Sequence, residues 1–188
     1  MSTRSRIGII REANTDSIVI ESVYCHFDGY PEGVGQTLLD HWTDEKKINR
    51  LIALGDLSSL GSVIGRKHDF DSHHGHYVGG RPYDHPDGYA LGEFVESEAH
   101  QKGWCLFYKR DRGEKGVKSV VHGMDNWPDY GQEAEYLFDP AAGTWRVRQE
   151  TLNPVGWNTV TPWVGWITIP EAIELEQQAR AEYEAAQA

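Results

Sequence analysis

Apolar residues near the start of the chain fall in two short runs, residues 6–11 and 18–28, on either side of a polar stretch at 12–17. Both runs are rich in β-branched residues, and the second also carries aromatic ones, a composition typical of strands. The stretch between them is rich in turn formers. The pattern therefore predicts a β-hairpin.

Helical spacing replaces this pattern after Pro31, a residue that suits the first position of a helix. The spacing of four apolar residues predicts one helical face, formed by Val34, Leu38, Leu39 and Trp42. A second helix is predicted to begin after Thr43 as its N-cap and to end at Gly55. The residues at 56–61 are interpreted as a tight polar turn.

Further strands are predicted in the second half of the chain. Residues 104–109 are typical of a strand, and the charged run at 109–114 is interpreted as a hairpin turn at the surface. Residues 134–139 and 144–148 flank a turn of small residues and predict a second hairpin.

These elements favour an α+β fold over a parallel α/β sheet. We predict an antiparallel sheet built from hairpins, with two short helices after the first hairpin and a C-terminal helix. Residues 1–169 are interpreted as a single domain, with an insertion rich in His and Gly at about 62–92. Residues 170–188 are predicted to form an acidic helix with a weak apolar face, made of Ile173, Leu175, Ala179 and Tyr183.

The charge and hydropathy of the chain indicate which kinds of partner to expect. The chain has 188 residues and a formal net charge of −11, from 18 basic and 29 acidic side chains. Binding to a phosphate backbone depends on clustered Lys and Arg, so direct nucleic-acid binding is not expected. The acidic charge is interpreted first as ordinary solubility, and a basic protein partner is the alternative. No apolar run approaches the roughly 18 residues that span a bilayer, and no signal peptide is recognisable, so we expect no membrane association. Cys25 and Cys105 are expected to be reduced, as in a cytosolic protein.

Several segments resemble a family of small accessory proteins encoded by tailed bacteriophages and prophages. The similar segments in the first third are SRIGI (residues 5–9), SVYCHFDGYP (22–31) and LIALGDLSSLG (51–61). Downstream, YKRDRGE (108–114) and EYLF (135–138), with Trp145, resemble strands of the same family. The resemblance implies a phage accessory protein that acts in the cytoplasm of the bacterial host.

A polar group of side chains stands at the end of the second predicted strand. By strand alternation, Tyr24, His26 and Asp28 share one face, and Cys25 points the other way. One interpretation is a catalytic site, in which His26 and Asp28 hold each other and a ligand. The other, which we favour, is a buried polar network that fixes the turn before Pro31.

The predicted insertion carries a dense group of histidines. The candidate metal ligands are His68, His73, His74 and His76. Imidazole, together with neighbouring aspartates, suits zinc, nickel or manganese. The other interpretation, which we favour, is a solvated loop, so no cofactor is expected unless this segment binds a divalent transition metal.

Aromatic and acidic residues near the C-terminus are the candidate partner-binding surface. The candidates are Trp157, Trp163, Trp166, Glu171 and Glu174. Trp is enriched in interface hot spots, although it also fills cores. Carboxylates here could take the place of nucleic-acid phosphates on a basic partner.

Two functions follow as hypotheses. The favoured one is an accessory protein that binds and modulates a host protein or complex, for example an anti-CRISPR-like inhibitor of a bacterial defence system. It follows from the resemblance, from the acidic charge and from the lack of a P-loop or nucleophile-elbow motif. The alternative is a small hydrolase, or a metal- or ligand-binding enzyme, centred on His26 and Asp28.

Overall fold

The computed structural model describes residues 3–13, 17–78, 93–129, 131–150 and 163–187. In chain order the strands are β1 (Ser5–Ala13), β2 (Ile18–Cys25), β3 (Leu57–Ser59), β4 (Gly75–Val78), β5 (Glu93–Glu96), β6 (Leu106–Phe107), β7 (Val120–Gly123), β8 (Ala134–Asp139), β9 (Thr144–Glu150) and β10 (Trp163–Thr168). The α-helices are α1 (Gln36–His41), α2 (Glu45–Ala53), α3 (Glu98–Gln101) and α4 (Ile169–Gln187). Two π-helical turns occupy Pro31–Gly35 and Tyr108–Arg112.

Two antiparallel hairpins form the centre of the main sheet. β1 pairs with β2, β8 pairs with β9, and the hairpins join through a parallel pairing of β1 with β8. The strand order is β10-β9-β8-β1-β2-β3-β6, and β7 also pairs with β2. Both predicted hairpins and the α+β class are confirmed. The parallel pairings of β1 with β8 and of β2 with β3 make the sheet mixed.

The larger core lies on the face of the sheet that α1, α2 and the start of α4 cover. Ile7, Val23 and Tyr136 are aligned across β1, β2 and β8 on this face and are fully buried. Two tryptophans are also buried in this core, and the indole N–H group of each donates a hydrogen bond. Trp42 donates to the carbonyl of Gly61 at 2.9 Å, and Trp145 donates to the carbonyl of Trp42 at 2.7 Å.

A smaller apolar cluster covers the opposite face of the sheet. It consists of Ile20, Trp127 and Leu137, with Trp166 packed against it. Gly8 lies beneath Trp127, and a Cβ atom there would come within 2.9 Å of the indole ring. The strand therefore needs a glycine at this position so that the tryptophan can close over the sheet.

Three local predictions are wrong. Asp44, rather than Thr43, caps α2, and its side chain accepts a hydrogen bond from the N–H of Lys47. The segment interpreted as a tight turn at 56–61 contains β3, because Leu57 pairs with β2 on one side and β6 on the other. The strand predicted at 104–109 shortens to Leu106–Phe107, and the charged run beyond it forms a π-helical turn.

The C-terminal helix buries a different face from the predicted one. Ile169, Ala172 and Glu176 are buried, whereas Leu175 and Tyr183 are exposed. The spacing of the buried residues is that of one helical stripe, with a carboxylic acid as its last member. None of the helices in the described ranges combines the length and the apolar character needed to cross a bilayer.

Candidate functional site

The Tyr24–His26 pair stands at the carboxyl end of β2. The Tyr24 hydroxyl lies 2.7 Å from Nδ1 of His26, so these two predicted partners meet. Asp28 has a positive φ of 58° and an exposed side chain, and its backbone carbonyl accepts a hydrogen bond from Val34 at 2.7 Å. Among the described residues, no hydrogen bond or ion pair joins His26 to Asp28. Asp28 therefore contributes to the turn through its backbone, and its exposed side chain is not part of the buried polar network that the structural interpretation expected.

The surroundings of this pair do not activate a nucleophile. Cys25 is fully buried, and burial raises the pKa of its thiol to about 12, so it is a neutral thiol near pH 7. Partial burial lowers the pKa of His26, and the positive charge of Arg4 lowers it further. The exposed Phe27 ring packs edge-on against His26, with ring centroids 4.5 Å apart.

A serine–histidine pair that the sequence did not suggest lies further back along β2, on the sheet face opposite the larger core. Ser22 Oγ is 2.7 Å from Nε2 of His122, and Nδ1 of His122 donates to the carbonyl of Gly123 at 2.9 Å. Arg6 donates to the same serine oxygen at 3.0 Å. Ser22 and Arg6 are buried beneath the segment that carries Trp127, so no substrate reaches the hydroxyl. The pair is a structural network between β1, β2 and β7.

A four-histidine cluster, made of His68, His73, His74 and His100, lies between the second π-helical turn and the β4–β5 ribbon. Ring centroids are 5.0 Å apart for His68–His73 and His73–His74, 5.3 Å for His74–His100 and 6.5 Å for His73–His100. Three of the four predicted metal ligands are thus together. His76 makes no ring contact with them within the described residues, and His100 takes its place.

Hydrogen bonds set the proton positions of two of these rings. Nδ1 of His68 is 3.0 Å from the carbonyl of Arg66, which can only accept, so this nitrogen carries the hydrogen. In the tautomer with this hydrogen on Nδ1, Nε2 of His68 accepts a hydrogen bond from Nδ1 of His73 at 2.8 Å. Burial, and after it the neighbouring His68, His74 and His100, lower the pKa of His73 to about 4. His73 is therefore a neutral imidazole near pH 7, with its lone pair on Nε2.

Ser97 fixes the backbone around the cluster. Its N–H donates to the carbonyl of His74 at 3.2 Å, and its hydroxyl donates to the carbonyl of His73. The same hydroxyl caps α3 by accepting from the N–H of His100 at 3.0 Å. One residue therefore holds both histidine-bearing segments in place.

An open cleft of about 470 Å³ borders this cluster. His68, Ser97 and Trp104 are among its lining residues, and Arg66 packs over the Trp104 ring at 5.2 Å. Across the part of the chain that the structure describes, no three His, Cys, Asp or Glu side chains converge as a ready-made metal site.

The candidate partner residues near the C-terminus have mixed roles. Trp157 and the side chain of Trp163 lie outside the described residues. Trp166 packs on Trp127 at 5.7 Å between ring centroids, as part of the smaller core. Glu171 accepts from the N–H and hydroxyl of Thr168 at the start of α4, a capping role. Glu174 is exposed.

Within the described ranges, a group of exposed apolar side chains near the histidine cluster lies on the β4–β5 ribbon, which forms a separate two-stranded sheet. Tyr77, Val78, Phe94 and Val95 are 40%, 55%, 44% and 40% exposed. Tyr77 and Phe94 are paired across the strands, with ring centroids 5.1 Å apart. Sequence patterning missed this surface because each strand is only four residues long.

Comparison with protein-family models, with curated proteins and with solved structures finds no match to this chain. The similarity to phage accessory proteins therefore stays a prediction.

Proposed function

We propose that this chain is a bacteriophage accessory protein that binds a protein or protein complex of the bacterial host and modulates it in the host cytoplasm. The observation that carries the proposal is the exposed apolar ribbon of β4 and β5. One face of the ribbon presents the paired rings of Tyr77 and Phe94, and Val78 and Val95 are exposed on the other face.

The ribbon has the properties of an interface element. A two-stranded ribbon is marginal by itself in water, and exposed apolar side chains in a group are typical of binding surfaces. Aromatic anchors such as Tyr77 and Phe94 supply large contact area with few rotatable bonds. A partner that covers them removes apolar surface from water and stabilises the ribbon in the same step.

The charge of the chain indicates the character of the partner. The net charge is −11, and Glu93 and Glu96 flank the apolar residues of β5. Such a surface favours a basic partner and makes the association rate depend on salt. Nucleic-acid-guided defence complexes carry positively charged channels, so an inhibitor of such a complex is the specific role we favour.

A hydrolase centred on His26 and Asp28 is the less favoured function. Its two central side chains do not contact each other, and the neighbouring thiol of Cys25 is buried. Binding of a partner through the exposed ribbon does not depend on a catalytic site at these residues.

The test is affinity capture from host lysate with a matched control. The ribbon variant carries Tyr77→Ser and Phe94→Ser, and the control carries Val121→Ser, which removes an exposed apolar side chain (64% exposed) on β7. We expect the wild type and the control to capture the same stoichiometric protein and the ribbon variant to lose it. Capture by all three proteins, or by none, contradicts the proposal.

A further inference from the structure

We propose that His73, His74 and His100 bind one divalent transition-metal ion of the zinc class, with Glu96 as the carboxylate ligand. This site is independent of the proposed partner surface. It rests on the spacing of the rings, on the fixed backbone that carries them and on the tautomer of His73.

The ring spacing matches a histidine-ligated metal. With a Zn–N distance of about 2.0–2.1 Å, each ring centroid lies about 3 Å from the metal, and tetrahedral ligands place centroids about 5 Å apart. The observed values are 5.0 Å for His73–His74 and 5.3 Å for His74–His100. The third pair, His73–His100, is wider at 6.5 Å, so the rings must close by a little over an ångström.

Only side chains need to move to close the site. The backbone carbonyls of His73 and His74 are both bound by Ser97, which also caps the helix that carries His100. The side chains of His74 and His100 are exposed and turn without disturbing the core. The rings therefore already lie near the spacing of metal ligands, and rotation of the His74 and His100 side chains would bring their nitrogen atoms together.

His68 supplies the outer-shell contact. His68 accepts the hydrogen that Nδ1 of His73 carries, so the lone pair of His73 is on its Nε2 atom. Within the described residues, no hydrogen bond uses that Nε2 atom. Metal-bound histidines commonly donate their other ring N–H to an acceptor in this way. His68 is itself fixed by the carbonyl of Arg66.

Glu96 completes a ligand set of three nitrogens and one oxygen. Its Oε1 atom lies 4.0 Å from Nε2 of His100, and it immediately precedes Ser97 at the end of β5. Imidazole and carboxylate ligands in a four-coordinate site suit zinc better than calcium or magnesium, which prefer oxygen ligands alone. A bound ion would tie the base of the β4–β5 ribbon to α3.

The test is isothermal titration calorimetry of Zn²⁺ into the full chain without an affinity tag. We expect one equivalent to bind with a Kd on the order of 1 µM or tighter. His74→Ala and His100→Ala should each weaken binding at least about tenfold, and His68→Ala about tenfold through loss of the outer-shell contact. His76→Ala is the matched control and should leave the Kd unchanged, because His76 lies apart from the other rings.

Circular dichroism of each variant separates lost binding from lost folding. His74 and His100 are exposed, so both variants should keep the wild-type spectrum. Three outcomes overturn the proposal: no saturable binding, unchanged affinity in the His74→Ala and His100→Ala proteins, or an equal loss in the His76→Ala protein.

Discussion

The carboxylate of Asp111 ties the histidine segment to the main sheet, because its Oδ1 accepts a hydrogen bond from the backbone N–H of His68 at 3.3 Å. Its Oδ2 accepts from the N–H of Phe107 at 2.8 Å. Arg110 contacts both oxygens, at 2.7 and 2.8 Å, and also donates to the carbonyl of Ile64 at 2.8 Å. The charged run predicted as a surface turn is therefore an internal clamp.

Replacement of Asp111 by Ala should lower the free energy of unfolding by about 3 kcal/mol, because the largely buried guanidinium of Arg110 loses its counter-charge. Arg112→Ala is the control from the same turn. It removes an exposed ion pair with Glu114 and a cation–π contact with the Phe70 ring at 5.0 Å, and should change stability by less than about 1 kcal/mol. Urea unfolding measures both values. A loss below about 1 kcal/mol for Asp111→Ala would show that the clamp does not stabilise the fold.

The Tyr24–His26 pair makes a titration prediction. Partial burial and the charge of Arg4 both disfavour the imidazolium, so the pKa of His26 lies below its ordinary value. Arg4→Gln removes the positive charge and should raise that pKa. Arg11→Gln, a control at a residue paired with Glu21, should leave it unchanged. Proton NMR titration follows the ring. An unchanged pKa in Arg4→Gln, or an equal rise in Arg11→Gln, contradicts this account.

The attachment of α4 should weaken as the pH rises. Burial and, to a smaller extent, the neighbouring Glu32 carboxylate raise the pKa of Glu176 to about 7, against the opposing charge of Arg180. In the unfolded chain this group titrates near 4.3. The folded state therefore holds a proton that the unfolded state has lost, and stability falls between about pH 4.3 and 7 and levels off above.

Glu176→Gln isolates this effect, because the amide stays neutral at every pH. At pH 4, below the pKa of the unfolded chain, the variant and the wild type should unfold at similar urea concentrations. At pH 8 the variant should be more stable by roughly 2 kcal/mol. Equal stability of the two proteins at pH 8 would mean that Glu176 ionises without cost in the folded state.

Local pattern was sufficient for the two hairpins but not for the buried face of α4. β1 and β2, and β8 and β9, are adjacent in the chain and joined by turns, so alternation and turn chemistry define them. On α4 the buried stripe ends in Glu176. Because this residue is acidic, the spacing of apolar residues alone does not indicate that face as the buried one.

Sites assembled from distant segments were only partly predictable. His68, His73 and His74 are close in sequence, and their grouping was predicted. His100 reaches them only because β5 pairs with β4 and places Ser97 against the carbonyl of His74. The Ser22–His122 pair likewise depends on the pairing of β7 with β2, which no local pattern signals.

The central claim, that the β4–β5 ribbon is the surface that meets a host protein, is tested most directly by cross-linking in living host cells. A genetically encoded photo-cross-linking residue replaces Phe94 in one protein and Val121 in another, both in the full chain. The account predicts a discrete adduct with one host protein from position 94 and none from position 121, since only the first lies on the ribbon. No adduct from position 94, or the same adduct from both positions, would contradict it.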